Sequence, residues 1–232
     1  MRNFVTFSTE HVITIGFIFS LAAAGVVIAR SRSLEFLIGP FSRALAGVAV
    51  GHEIVWILGA MLLGQWHYSW GVPLQLCDLA IFAMAITLLR HYQWLWELAY
   101  FWGLGGSLQA ILTPDLNVTF PDLTYIKFYL SHGCTVIGVI FLAVGCGRPI
   151  TLKSVLRVFT ITNIYGLFVL LFNWFFGTNY MYLMRKPAHP SVLDYAGDGP
   201  YYYLGIEIAL VLTLVIYYLP YALAARIKRA ER

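Results

Sequence analysis

Apolar residues run along the chain in seven blocks, at 11–29, 40–63, 72–90, 94–112, 122–145, 154–177 and 201–225. At 1.5 Å per residue each block makes a helix long enough to cross the hydrocarbon core of a bilayer, which needs about 20 apolar residues. The polar breaks carry turn chemistry: 31–39, 65–71, Thr113-Pro114-Asp115, 147–153 and a longer segment at 178–200. The break at His91-Tyr92-Gln93 is short enough to require a tight helical hairpin between the third and fourth blocks. The pattern predicts an all-α polytopic membrane protein, a single domain over 1–232 built as a bundle of about seven transmembrane helices.

Composition agrees. Only 11% of the 232 residues are charged and 60% are hydrophobic, whereas soluble domains carry about 25% charged residues. A chain so poor in charge cannot cover a water-facing surface. The net charge of +4 does not point to nucleic acid, because the basic residues sit at block ends, where membrane topology explains them. Arg30 and Arg32, then Arg90, then Arg148, Lys153 and Arg157, then Arg226, Lys228, Arg229 and Arg232 mark one side. Asp115, Asp122, the charge-free 65–71 loop and a balanced 178–200 loop mark the other. Positive residues favour the cytoplasm, so the N-terminus is expected outside and the C-terminus inside, in a cell membrane. Arg2 and the first block resemble a signal peptide, but the apolar run reaches Ala29 and is stopped by arginines, which favours a retained helix. The three cysteines, Cys77, Cys134 and Cys146, lie in or near apolar runs and imply no disulfide framework.

Polar side chains within the blocks are unevenly placed. His52 and Glu53 lie roughly 15 Å from the outer end of the second block. Gln75, Cys77 and Asp78 open the third block, Gln109 and Asp115 close the fourth, and Lys127 and His132 occupy the outer half of the fifth. Asn173, Asn179 and Tyr180 follow at the outer end of the sixth, and Glu207 lies about two turns into the seventh. The inner half offers little beyond Arg43 and Asn163. A polar group inside a bilayer often only bonds a neighbouring helix. Their gathering at one depth predicts a polar cavity toward the outer leaflet, the default place for a binding site.

Within that set, Cys77 and His132 have the chemistry of a nucleophile and its base. A thiolate attacks, an imidazole takes the proton, and a helix start after Pro73 favours the thiolate. Asp78, Glu53 or Asp115 would orient the histidine. The bland alternative is a small buried apolar cysteine and an interhelical donor. His52, Glu53 and His132 lack metal-ligand spacing, so no metal or other cofactor is expected. The last block has no lysine before Lys228, which excludes a retinal Schiff base there. Lys186, beside Arg185, is either a headgroup-binding cation or part of a solvated loop.

The ordered pieces Pro73-Leu74-Gln75-Leu76-Cys77-Asp78-Leu79, Trp102-Gly103, Leu112-Thr113-Pro114-Asp115, Ser131-His132-Gly133 and Asn179-Tyr180-Met181-Tyr182-Leu183 with Lys186-Pro187 resemble the YwaF-like family of bacterial integral membrane proteins. That family is similar to the eukaryotic transmembrane protein 164 family. The resemblance implies a phospholipid acyltransferase or lipid-ester hydrolase, with Cys77 as nucleophile, His132 as base, and Gln75, Asn179 or Tyr180 stabilising the oxyanion. Membrane phospholipids are the implied partner. One departure stands out: Gln75 occupies a place where the bacterial motif usually has histidine, and glutamine takes no proton at neutral pH. A rival reading is a small-solute transporter or ligand-binding protein in which Glu53, Glu207 and Lys127 carry charge or protons. Another is a sensor or assembly factor without chemistry. The acyl donor, the acceptor and the oligomeric state have no signature in the sequence.

Overall fold

Local capping chemistry sets the helix ends. In the computed structural model, which describes residues 4–187 and 192–230, α1 (Thr9–Arg30) starts at Ser8, whose hydroxyl accepts from the His11 N–H. A 3-10 turn, Arg32–Leu37, leads into α2 (Ile38–Leu62), with Pro40 in the first turn, where its missing N–H has no partner to lose. α3 is Leu76–Leu89. α4 begins as Gln93–Trp102, widens to π-helix over the glycine-rich Gly103–Leu108, and closes with one α-turn, Gln109–Leu112. α5 starts from the Asp122 cap, runs Leu123–Ile140 and ends in a π-turn, Phe141–Gly145. α6 (Leu152–Phe176) opens with a Thr151–Ser154 capping box and stops at Gly177, whose φ of 65° suits glycine. α7 is Pro200–Ala230.

These seven helices occupy the seven expected places, and the described residues contain no strand. Five stretches are long and apolar enough to span a bilayer: Thr9–Arg30, Arg32–Leu62, Leu123–Gly145, Leu152–Phe176 and Pro200–Ile227. This is a multi-pass membrane protein. The other two helices are shorter than their apolar blocks. α3 has 14 residues, about 21 Å: Pro73 disfavours the helical region at Val72, and the Leu74 N–H closes a local turn onto the Val72 carbonyl at 2.8 Å. The backbone there turns outward to other partners: the Leu74 carbonyl accepts from the Tyr165 hydroxyl at 2.9 Å. α4 loses regular geometry at its glycines and stops before Pro114. Arg2 and Arg232 lie outside the described residues, as do the side chains of Lys228 and Arg229.

The chain divides into two compact units, Met1–Trp66 with Leu76–Arg148, and His67–Gln75 with Pro149–Arg232. The first holds α1 to α5. Its centre is α5, the most buried of the five spans, which packs against α1, α2, α3 and the π-helical part of α4. Small residues permit the approach. A Cβ at Gly133 would meet Ile18, one at Gly138 would meet Met84, and one at Gly145 would stand 2.8 Å from the Ala29 Cβ. Trp96, Phe101, Phe141, Ile81, Met84 and Ile111 complete this core. His11 is fully buried and pins the start of α1: its Nδ1 accepts from the Phe7 N–H at 2.9 Å, so its Nε2 carries the proton and donates to the Ile111 carbonyl at 2.8 Å.

The second unit holds α6, α7 and the 67–75 segment. Its core, Val169, Tyr180 and Leu183, is flanked by Val72, Leu74, Tyr165 and Phe172.

Candidate functional site

In the first unit, polar groups from α2 and α5 meet on one oxygen. Glu53 Oε1 accepts from the Ser131 hydroxyl at 3.0 Å and lies 3.3 Å from Lys127 Nζ and 3.2 Å from His52 Nε2. The Glu53 side chain is 8% exposed and that of Lys127 27%. Lys127 and Ser131 are four residues apart, so they project from one face of α5 and grip the carboxylate from successive turns. A buried carboxylate needs donors such as the Ser131 hydroxyl and the Lys127 ammonium, because its hydration is lost on burial. His52 Nδ1 donates to the Val48 carbonyl one turn earlier at 3.0 Å, which fixes its ring along α2.

His132 follows Ser131 on α5. Its ring meets Phe128 edge-on with centroids 4.4 Å apart. Its Nδ1 is buried and has no hydrogen-bond partner. The ionised groups acting on the ring are Lys127 and Glu53. Cys77 sits in the first turn of α3, half-buried, with Asp78 Oδ1 at 4.0 Å from its sulfur. Its Cβ faces Gly106 in the π-helical part of α4, where a side chain would come within 3.7 Å. Next to Gly106, the buried Ser107 hydroxyl has no partner. Lys127 also acts electrostatically on the thiol. No hydrogen bond joins Cys77 to His132. Gln109 is spent on α4 itself, donating to the Thr113 hydroxyl at 2.7 Å, and Asp115 is exposed in the loop beyond.

In the second unit, the expected polar residues hold loops. Asn173 Oδ1 accepts from the Tyr180 N–H at 2.9 Å and from the Thr178 hydroxyl at 2.7 Å, while its Nδ2 donates to the Tyr180 carbonyl. The Tyr180 hydroxyl donates to the Tyr68 carbonyl at 2.8 Å and accepts from the Val72 N–H at 3.1 Å. Gln75 Oε1 accepts from the Met181 N–H at 2.9 Å. Asn179 Oδ1 accepts from the Met184 and Arg185 N–H groups, and its Nδ2 donates to the Arg185 carbonyl. These bonds hold Met181 and Tyr182 in the left-handed region, with φ of 57° and 55°, a conformation a non-glycine residue keeps only when its surroundings impose it. Lys186 pairs with the exposed Asp198 at 2.8 Å, and Glu207 Oε2 lies 3.4 Å from Asn163 Nδ2.

Of the first cluster, Ser131 was expected only as part of a family motif, and Lys127 only as a charge carrier in the transport reading. Their i, i+4 spacing was visible, but which helix would supply the matching carboxylate was not. The buried Glu97, which accepts from Gln93 Nε2 at 3.1 Å, was also unremarked. Among the described residues no three His, Cys, Asp or Glu side chains converge as a metal-ligand set.

Searches of curated proteins and of solved structures give no match. A family model matches residues 6–218, nearly the whole chain, from before α1 into α7: the protein belongs to the TMEM164 family.

Proposed function

We propose that this membrane protein transfers acyl chains between phospholipids, or releases them by hydrolysis, through a thioester on Cys77. The supporting observation is the buried His132 Nδ1 that bonds to nothing. An unpaired buried nitrogen is unfavourable and is retained where a ligand or a reaction uses it. It stands on the helix that also carries Lys127 and Ser131, in a chain of the TMEM164 family. The family resemblance supplies the reaction class.

The steps balance as follows. The His132 imidazole takes the proton of the Cys77 thiol. The thiolate attacks the ester carbonyl carbon of a phospholipid and gives a tetrahedral oxyanion. Collapse breaks the ester C–O bond, the leaving alkoxide takes the proton from the imidazolium, and the acyl group remains on sulfur. An acceptor hydroxyl, from a lysolipid or water, then gives its proton to His132 and attacks the thioester. Collapse expels the Cys77 thiolate, which takes the proton back. Catalytic hydrogen bonds often tighten only when substrate is bound, so the absence of a Cys77–His132 bond is compatible with this scheme. The site is expected to open to the outer leaflet.

The test is lipid-ester turnover by purified protein in detergent. Cys77→Ser and His132→Ala are each expected to abolish it, and hydroxylamine is expected to release the acyl group from native protein only. Unchanged turnover in both variants refutes the proposal.

A further inference from the structure

A hydroxyl sealed inside a helix bundle ordinarily bonds the carbonyl one turn back, as those of Thr87 and Thr135 do at 2.7 and 3.1 Å. Ser107 departs from this. It is fully buried, and its hydroxyl bonds to nothing. Such an orphan donor is unfavourable and is retained where a ligand or a reaction uses it. Ser107 stands in the π-helical stretch of α4, Gly103–Leu108, a geometry frequent at functional sites. The residue before it, Gly106, abuts α3: a Cβ there would have the Cys77 Cβ, 3.7 Å away, as its only neighbour from another element within 4 Å. The residue one turn before it, Gly103, abuts α5: a Cβ there would lie 3.0 Å from the methyl groups of Thr135 and Val139. Residues four apart share a helix face, so Ser107 is turned to α5 as well. The short 113–122 link makes α4 and α5 antiparallel neighbours. Four residues beyond Gly103 is about 6 Å nearer the outer end, which on α5 is the turn of Ser131 and His132, one turn before Thr135. The His132 Nδ1 at that level is also buried and without a partner.

We propose that Ser107 is a further catalytic residue: its hydroxyl donates a hydrogen bond to the oxyanion that forms when Cys77 attacks the ester carbonyl. It sits on a segment that borders the nucleophile on one side, through Gly106, and the helix of the base on the other. The Cys77 sulfur bonds to the carbonyl carbon, the C=O electron pair moves onto oxygen, and the Ser107 O–H donates to that oxygen. On collapse the pair returns and the bond relaxes. The serine keeps its proton throughout, and His132 carries the thiol proton to the leaving alkoxide. The orphan state is what this role requires. A hydroxyl already bonded to the Gly103 carbonyl would have to break that bond first, whereas a free donor in place needs no reorganisation as charge develops. The amide and hydroxyl groups of Asn179 and Tyr180, by contrast, are committed to their own loop. This inference rests on the acyl-transfer reading.

The experiment takes three readings on full-length protein in detergent. Ser107→Ala is expected to lower kcat for lipid esters about 100-fold, the effect of losing one oxyanion donor, with KM little changed. In a Cys134→Ala, Cys146→Ala background it is expected to leave the rate at which iodoacetamide alkylates Cys77 unchanged, since alkylation passes through no oxyanion. It is also expected to unfold at the native temperature or above, because the change removes a buried donor that bonds nothing. Ser107→Gly makes the same test if Ser107→Ala does not fold. Native kcat in Ser107→Ala, with Cys77→Ser inactive, overturns the role of Ser107 and leaves the acyl-enzyme standing. A fall in kcat matched by an equal fall in alkylation rate, or accompanied by a lowered unfolding temperature, overturns it too, by marking Ser107 as packing. Retained turnover in Cys77→Ser, or none in native protein, removes the acyl-transfer reading and this role with it.

Discussion

Gly138→Ala tests the packing that places α3, and with it Cys77, against α5. An alanine Cβ at this position meets the Met84 side chain, with Cγ 2.7 Å away and the sulfur nearer still. Ordinary contact begins at about 3.4 Å, so the Met84 stem must retreat by roughly 0.7 Å. Met84 is fully buried, as is Ile81 one turn earlier on the same helix, so there is little free volume to receive it. Overpacking of this kind costs about 1–3 kcal/mol, against about 1 kcal/mol gained from replacing a helical glycine. The net expectation is a loss of about 0–2 kcal/mol. Gly16→Ala on α1 is the matched control, since nothing lies within 4 Å of its Cβ. It should be neutral or stabilising by up to about 1 kcal/mol. In a Cys77→Ala, Cys146→Ala background Cys134 supplies the assay: it is 5% exposed and in the middle of α5, so a thiol-reactive dye reports thermal unfolding of the first unit. Gly138→Ala should unfold several degrees below Gly16→Ala, and Met84→Ala should relieve the clash in the double variant. Met84 lies two turns from Cys77 on α3, so lipid turnover should fall as well. Equal midpoints for the two alanine variants would refute the packing argument.

Three further predictions follow from the clusters. Glu53→Leu leaves the Lys127 ammonium without its carboxylate and should destabilise by about 3–5 kcal/mol, with much of this recovered in Glu53→Leu/Lys127→Met, both read by the same dye. Asn179→Ala removes the acceptor that holds the Met184 and Arg185 N–H groups. Trypsin should then cleave after Arg185 several-fold faster, and an unchanged rate would show that the loop is held by other contacts. Cys146 lies just past α5 with part of its surface open, and partial desolvation of its thiol pushes it above the ordinary value against the pull of Arg148 and Arg30. Its labelling should therefore rise with pH later than that of a free thiol. If the charge pattern sets orientation as expected, an impermeant maleimide should reach it only after cells are permeabilised.

Solvent and chain chemistry determined most of the architecture. The number, type and places of the helices were legible because in a bilayer every backbone group must be satisfied within its own segment, so a long apolar run has little choice but helix. Ser8, Asp122, Thr151 and Gly177 set helix ends in the structure by local capping chemistry. The shortening of α3 was half legible, in Pro73, but the Tyr165 hydroxyl that takes up the Leu74 carbonyl was not. Depth along each helix was readable too, since it needs only a count of residues. Rotation about each helix axis, and which helix becomes a neighbour, depend on side-chain packing between segments distant in sequence. So the sequence could place Glu53, Lys127, Ser131 and His132 at similar depths, but only the tertiary structure decided that Lys127 and Ser131 close on Glu53 while the His132 nitrogen is left unpaired. Likewise Asn179 and Tyr180 read as free polar groups in one dimension. In three they are consumed by carbonyls and N–H groups that a strained turn at Met181 and Tyr182 brings within reach.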